Sequence, residues 1–148
     1  MKEIIVKIIR ENCVEYIADM PQIAVKYWKE NIAIKEDFDE EKESLVVLIL
    51  NSKLKVKAHS IVSVGIVNET LCHAREVFRP AIAYSGIQII LIHNHPSGDP
   101  TPSSDDISTT RDMQEAGKLL GIPLLDHVIV SSNGESYKSL KESGLLIN

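Results

Sequence analysis

The sequence predicts an α/β or α+β domain built on a mixed β-sheet with flanking helices. The continuous apolar run at residues 45–50 has strand length and reads as a central strand covered on both faces, and residues 87–92 read as another buried strand. A helix signal follows the latter, stopped by Gly121 and Pro123. Strand and helix signals alternate along the chain, which is the pattern of this fold class.

The elements fall in order. Residues 2–10, apolar but interrupted by charges, read as an edge strand rather than a signal peptide. Residues 21–31 read as an amphipathic helix with Ile23, Val25, Tyr27 and Trp28 available for burial. An acidic loop leads into the strand at 45–50. A turn at 51–53 returns the chain as a second strand at 55–58, and residues 61–67 suggest a third. Asn68 or Thr70 is a candidate cap for a helix reaching about Ser85, closed by Gly86, with a break expected at Pro80. After the 87–92 strand comes a Pro/Gly/Ser-rich loop, and Thr101-Pro102 reads as the start of a helix running to about Leu120. Residues 124–130 form a strand, residues 132–135 a hairpin turn, and a short strand and a turn of helix end the chain.

Composition narrows the function classes. The 148 residues suit one domain with one sizeable core. With 44% hydrophobic and 25% charged residues and no apolar run of membrane-spanning length, the expectation is a cytoplasmic protein. The formal net charge is −5, and residues 36–43, with six acids against Lys42, carry all of it. That balance offers no basic footprint for nucleic acid. Lys53, Lys55 and Lys57 alternate and read as one solvated strand face. Cys13 and Cys72 belong to no CxxC pair and read as reduced structural thiols.

Chemistry concentrates in residues 93–106, HNHPSGDPTPSSDD. His93 and His95 sit just past a buried strand, and their i, i+2 spacing turns both rings to one side of an extended chain. Two such imidazoles are half of a tetrahedral zinc site. Asp106, in the first turns of the next helix, can supply an oxygen ligand. Three protein ligands leave a fourth position for water, as in catalytic sites. Ser103, three residues before Asp106, can donate to an oxyanion beside the metal. Pro96, Gly98, Pro100 and Pro102 restrict the intervening loop.

The spacing HxH, seven residues, Ser, two residues, Asp resembles the JAMM signature of MPN-type metalloproteases, met by His93, His95, Ser103 and Asp106. The longer run resembles the RadC branch in particular. Residues 73–78 (HAREVF) resemble its HPREVF, with Ala74 in place of proline; residues 125–130 (LDHVIV) resemble its LDHIIV; and residues 137–146 resemble its closing segment. The resemblance covers about residues 21–146. It implies a single MPN, cytidine-deaminase-like domain over 1–148, with its motif-bearing core at about 40–148. No helix-hairpin-helix region is expected. It further implies one Zn2+ per chain and hydrolysis of an amide, peptide or isopeptide bond in a peptide or protein substrate. An upstream glutamate that deprotonates the zinc water falls on Glu43, with Glu41 as the alternative. A homo-oligomer is compatible with this reading.

Rival readings are weaker. HNH nucleases do not hold their three residues contiguously, and the H-x-E with P-C-x-x-C of zinc deaminases, HExxH and G-x-S-x-G are all missing. Asp126 and His127 are adjacent on a strand, so one can approach the site while the other is structural. A metal-free MPN scaffold and the family's DNA-repair association remain as alternatives.

Overall fold

The computed structural model describes residues 2–3, 14–65 and 72–146. The chain runs α1 (Pro21–Asn31), β1 (Glu43–Leu50), β2 (Val56–Gly65), α2 (Ala74–Ala83), β3 (Gln88–His95), α3 (Ser104–Leu120), β4 (Leu124–Ser131) and β5 (Tyr137–Ser139). The strands form one mixed sheet in the order β2-β1-β3-β4-β5. Only β3 and β4 are parallel, joined by the α3 crossover; the other pairs are antiparallel.

Strand parity divides the core. Val46, Leu48, Leu50, Ile90, Ile92, Val128 and Val130 pack on the α1 side with Trp28, which is fully buried. Leu45, Val47, Ile49, Ile89 and Leu91 pack on the other side with Val77 and Phe78 of α2 and Met113 of α3. Continuing the second series in steps of two residues reaches Glu43 on β1 and His93 and then His95 on β3. The alternation that builds the core therefore sends all three toward α3.

Several elements differ from the sequence reading. β3 runs through His95, so the histidines lie inside the strand rather than just beyond it. The two strands expected at 55–58 and 61–67 are one strand, β2, with a bulge where Leu45 pairs Ser63 and Val46 pairs Ile61. Lys53 lies in the turn before β2; Lys55 pairs with Glu15 at 2.6 Å, and Lys57 sits over the Tyr84 ring, so the three share no common face. α2 begins at Ala74 after an N-cap at His73 and continues through Pro80. Asn68, Thr70, Cys13 and most of the expected first strand lie outside the described residues. At the end of α2 the left-handed residue is Ser85, at φ 56°, not Gly86. Gly86 is needed for proximity: a Cβ there would stand 2.6 Å from Ile49 Cγ2. α3 starts two residues later than Thr101-Pro102 implies, because Ser103 is the cap. Its stop is as read, with Gly121 left-handed at φ 70°.

Candidate metal centre

Three elements converge on one point. β3 supplies His93 and His95 from its C-terminal end, α3 supplies Asp106 from its first turn, and β1 supplies Glu43 as its first residue. Asp106, Thr110, Met113 and Gly117 are the buried stripe of α3, so helical periodicity turns Asp106 inward. The cap then fixes its orientation. Ser103 Oγ accepts the Asp106 N–H at 3.0 Å, and Asp106 Oδ2 accepts the Ser103 N–H at 2.8 Å. This is a capping box with aspartate in the returning position.

The donor atoms of Glu43, His93, His95 and Asp106 all lie within 4.8 Å of one another, the one such cluster among the described residues. The two Nε2 atoms are 3.0 Å apart. Asp106 Oδ1 is 3.3 Å from His93 Nε2, and its Oδ2 is 3.1 Å from His95 Nε2. Glu43 Oε1 is 3.2 Å from His93 Nε2 and 3.7 Å from His95 Nε2. Glu41 is exposed, outside the cluster, with its N–H on Asp39.

Hydrogen bonds on the far side of each ring decide where the lone pairs point. The Thr110 hydroxyl donates to the Asp106 carbonyl at 2.6 Å, so it accepts from His127 Nδ1 at 2.6 Å. With its proton on Nδ1, His127 presents a bare Nε2, which accepts from His93 Nδ1 at 2.7 Å. His95 Nδ1 donates to the Asp99 carbonyl at 2.9 Å. Both inner Nε2 atoms therefore hold lone pairs, facing each other and two carboxylates.

Such a group requires positive charge at its centre. Burial pulls His93 down, but the hydrogen bonds and charges of Asp106 and Glu43 outweigh it and raise its pKa. The hydrogen bond to Asp106 leads in raising His95, against its burial. Burial pushes Asp106 up, yet the two histidines hold it well below the usual carboxylate range. His127 goes the other way: burial first, then the His93 charge, drives it far down and keeps it neutral.

The donors fit a metal ion. Ligand atoms about 2.0–2.2 Å from a tetrahedral zinc lie about 3.3–3.6 Å apart, and the five pairs that include a histidine nitrogen range from 3.0 to 3.7 Å. Two imidazole nitrogens and two carboxylate oxygens without sulfur suit zinc or another borderline divalent ion.

Two supporting residues were not assigned from the sequence. Asn94, fully buried between the histidines, binds the backbone on both sides of Glu43. His127 takes the site-facing role in the Asp126-His127 pair. Asp126 is structural: it accepts from His127 N, Lys141 N and Ser139 Oγ. A groove of about 370 Å³, lined by Glu40, Glu41, Pro96, Gly98 and residues 131–133, flanks the segments that carry Glu43 and His95.

The mixed sheet, the crossover helix and this cluster define an α+β domain with a candidate metal centre of two histidines and two carboxylates. The family model for the RadC-like JAB domain matches residues 18–145, and the chain belongs to that family. It is 45% identical over 114 residues to a UPF0758 protein of Desulforamulus reducens, covering 76% of this chain and 49% of that protein. It is 50% identical over 102 residues to a UPF0758 protein of Staphylococcus carnosus (69% and 44%), and 44% identical over 108 residues to one of Methanosarcina barkeri (73% and 46%). The chain thus spans a little under half the length of these curated relatives. Among the described residues no helix is long and apolar enough to cross a membrane.

Proposed function

We propose that this domain is a zinc-dependent hydrolase of the JAMM type, cleaving an amide, peptide or isopeptide bond. One observation carries the reading: four donors converge within 4.8 Å, with both imidazole lone pairs turned inward by fixed outer hydrogen bonds. His93, His95 and Asp106 would hold the ion. When bound, zinc supplies Lewis acidity that acidifies a water and polarises a carbonyl. Glu43 Oε1 takes the proton from the attacking water and passes it to the leaving amine. Ser103 spends an oxygen lone pair on the Asp106 N–H, which leaves its hydroxyl proton free to donate to the oxyanion. The groove at Glu40, Glu41, Pro96 and Gly98, next in sequence to the segments that carry Glu43 and His95, gives an extended peptide a place to lie.

A second reading has its own support. Glu43 stands as near His93 as Asp106 does, so the four could close around a metal with no position for water. Such a site is structural, and the domain would serve as a scaffold.

Metal analysis of protein purified from zinc-replete medium without chelator tests the site. About one zinc per chain in the wild type, lost in His95→Ala, is the outcome expected from three or four protein ligands. Metal-free wild-type protein would sink the hydrolase reading.

A further inference from the structure

We infer that Thr110 and His127 are positioning residues for the candidate metal centre, forming a hydrogen-bond relay that fixes which nitrogen of His93 faces the metal. The inference rests on the proposed metal reading and extends it into the core of the domain. Three atoms set the direction of the relay. The Asp106 carbonyl can only accept, so the Thr110 hydroxyl at 2.6 Å must donate to it. The same oxygen, 2.6 Å from His127 Nδ1, must then accept. His127 is thereby held with its proton on Nδ1, the form that free neutral histidine disfavours. Its Nε2 is left bare and accepts the His93 Nδ1–H at 2.7 Å. His93 is left with its lone pair on Nε2, the atom shared with His95, Glu43 and Asp106.

The relay is sealed and closed on itself. Thr110, His127 and His93 are 0, 1 and 3% exposed, so water does not compete for these bonds. It starts from the backbone of Asp106, one proposed ligand, and ends on the ring of His93, another. Were His127 to carry its proton on Nε2, it would donate to His93 Nδ1 and force the His93 proton onto Nε2, where it would block the metal. A single hydroxyl on α3 thus sets the donor atom on β3. Partners of this kind typically contribute 10- to 100-fold to metal affinity.

The experiment uses the full chain, with Zn2+ as probe. Long-range ¹H–¹⁵N spectra of the metal-free wild type at mildly alkaline pH should show His127 protonated on Nδ1. Chelator competition should then show Thr110→Val weakening zinc binding by roughly 10- to 100-fold while Thr110→Ser stays within about threefold of wild type. Valine keeps the shape and loses the hydroxyl; serine keeps the hydroxyl and loses the methyl. A packing role predicts the reverse order, so Thr110→Ser binding as weakly as Thr110→Val overturns the inference. Wild-type His127 protonated on Nε2, or Thr110→Val binding zinc as tightly as wild type, also overturns it. If the wild type takes up no zinc, the hydrolase reading fails, and the His127 tautomer in the metal-free chain still decides this inference.

Discussion

The side chain of Asn94 binds the backbone on both sides of Glu43: its Oδ1 accepts the Ser44 N–H at 2.8 Å, and its Nδ2 donates to the Lys42 carbonyl at 2.9 Å. The same Nδ2 reaches Ser132 Oγ at 2.9 Å, and Ser132 in turn donates to the Glu40 carbonyl. Asn94 points to the face opposite His93 and His95 because it stands between them on β3. Three consecutive residues thus supply two donors and the clamp for a third. Asn94→Leu should strip the buried Ser44 N–H and the partly buried Lys42 carbonyl of their partner. The expected cost is on the order of 2–4 kcal/mol, since an unsatisfied group costs about 1–3 and the partly exposed carbonyl falls at the low end of that range. Urea denaturation of the metal-free chain measures it, and a loss below about 1 kcal/mol would show that water replaces the amide.

Zinc binding should weaken as pH falls. His93 and His95 are both raised in the metal-free pocket by their carboxylate neighbours, so protons compete with the ion from above the ordinary histidine range downward. Two protons are displaced per ion, which makes the loss about a hundredfold in affinity per pH unit once both rings are protonated. His127 adds nothing to this slope because burial keeps it neutral. Chelator competition across pH 5–8 checks the steepness; a pH-independent affinity would mean that the rings do not ligate.

Added zinc should raise the thermal midpoint of the wild type and leave His95→Ala where it is. Ligand binding to the folded state alone contributes about 2.7 kcal/mol at a hundredfold excess over Kd. Asp106→Asn separates the two tasks of that side chain. Asparagine can still accept the Ser103 N–H, so the cap of α3 persists, while the charge that attracts the ion is gone. Calorimetry should therefore show Asp106→Asn melting near the metal-free wild type and gaining little from zinc.

The site was legible where one strand or one spacing carried it. The i, i+2 pair His93 and His95 and the helix-borne Asp106 follow from periodicity, and the cluster brings them together. Glu43 came through the resemblance; parity with Leu45, Val47 and Ile49 now gives its direction a physical cause. His127 was legible only as one of two adjacent residues, because its face depends on an irregularity. Ile89 pairs Leu124 but Ile90 pairs Asp126, so Leu125 is left over and the alternation shifts. That shift turns His127 to the face of His93, and no local pattern announces it. Likewise the unbroken β2 was set by pairing with β1, which overrides turn signals.

Glu43→Gln decides between an open catalytic centre and a closed structural one. Distance alone does not, because Glu43 Oε1 at 3.2 Å from His93 Nε2 matches Asp106 Oδ1 at 3.3 Å. Glutamine keeps the length and can hydrogen-bond a water, but it cannot accept a proton and is a poorer ligand. If Glu43 is the base, the variant should keep its zinc and lose turnover by roughly 10²–10⁴-fold, the usual contribution of a positioned acid–base group. If Glu43 closes the coordination sphere, the variant should lose zinc affinity instead, and the scaffold reading gains. Glu41→Gln serves as the control: Glu41 is exposed and outside the cluster, so its change should be silent on both measures. Zinc titration against a chelator reads the first quantity. Hydrolysis of a quenched-fluorescent peptide that the wild type cleaves reads the second. A Glu43→Gln variant with wild-type affinity and wild-type turnover would remove Glu43 from the mechanism and require the proton acceptor to come from another group.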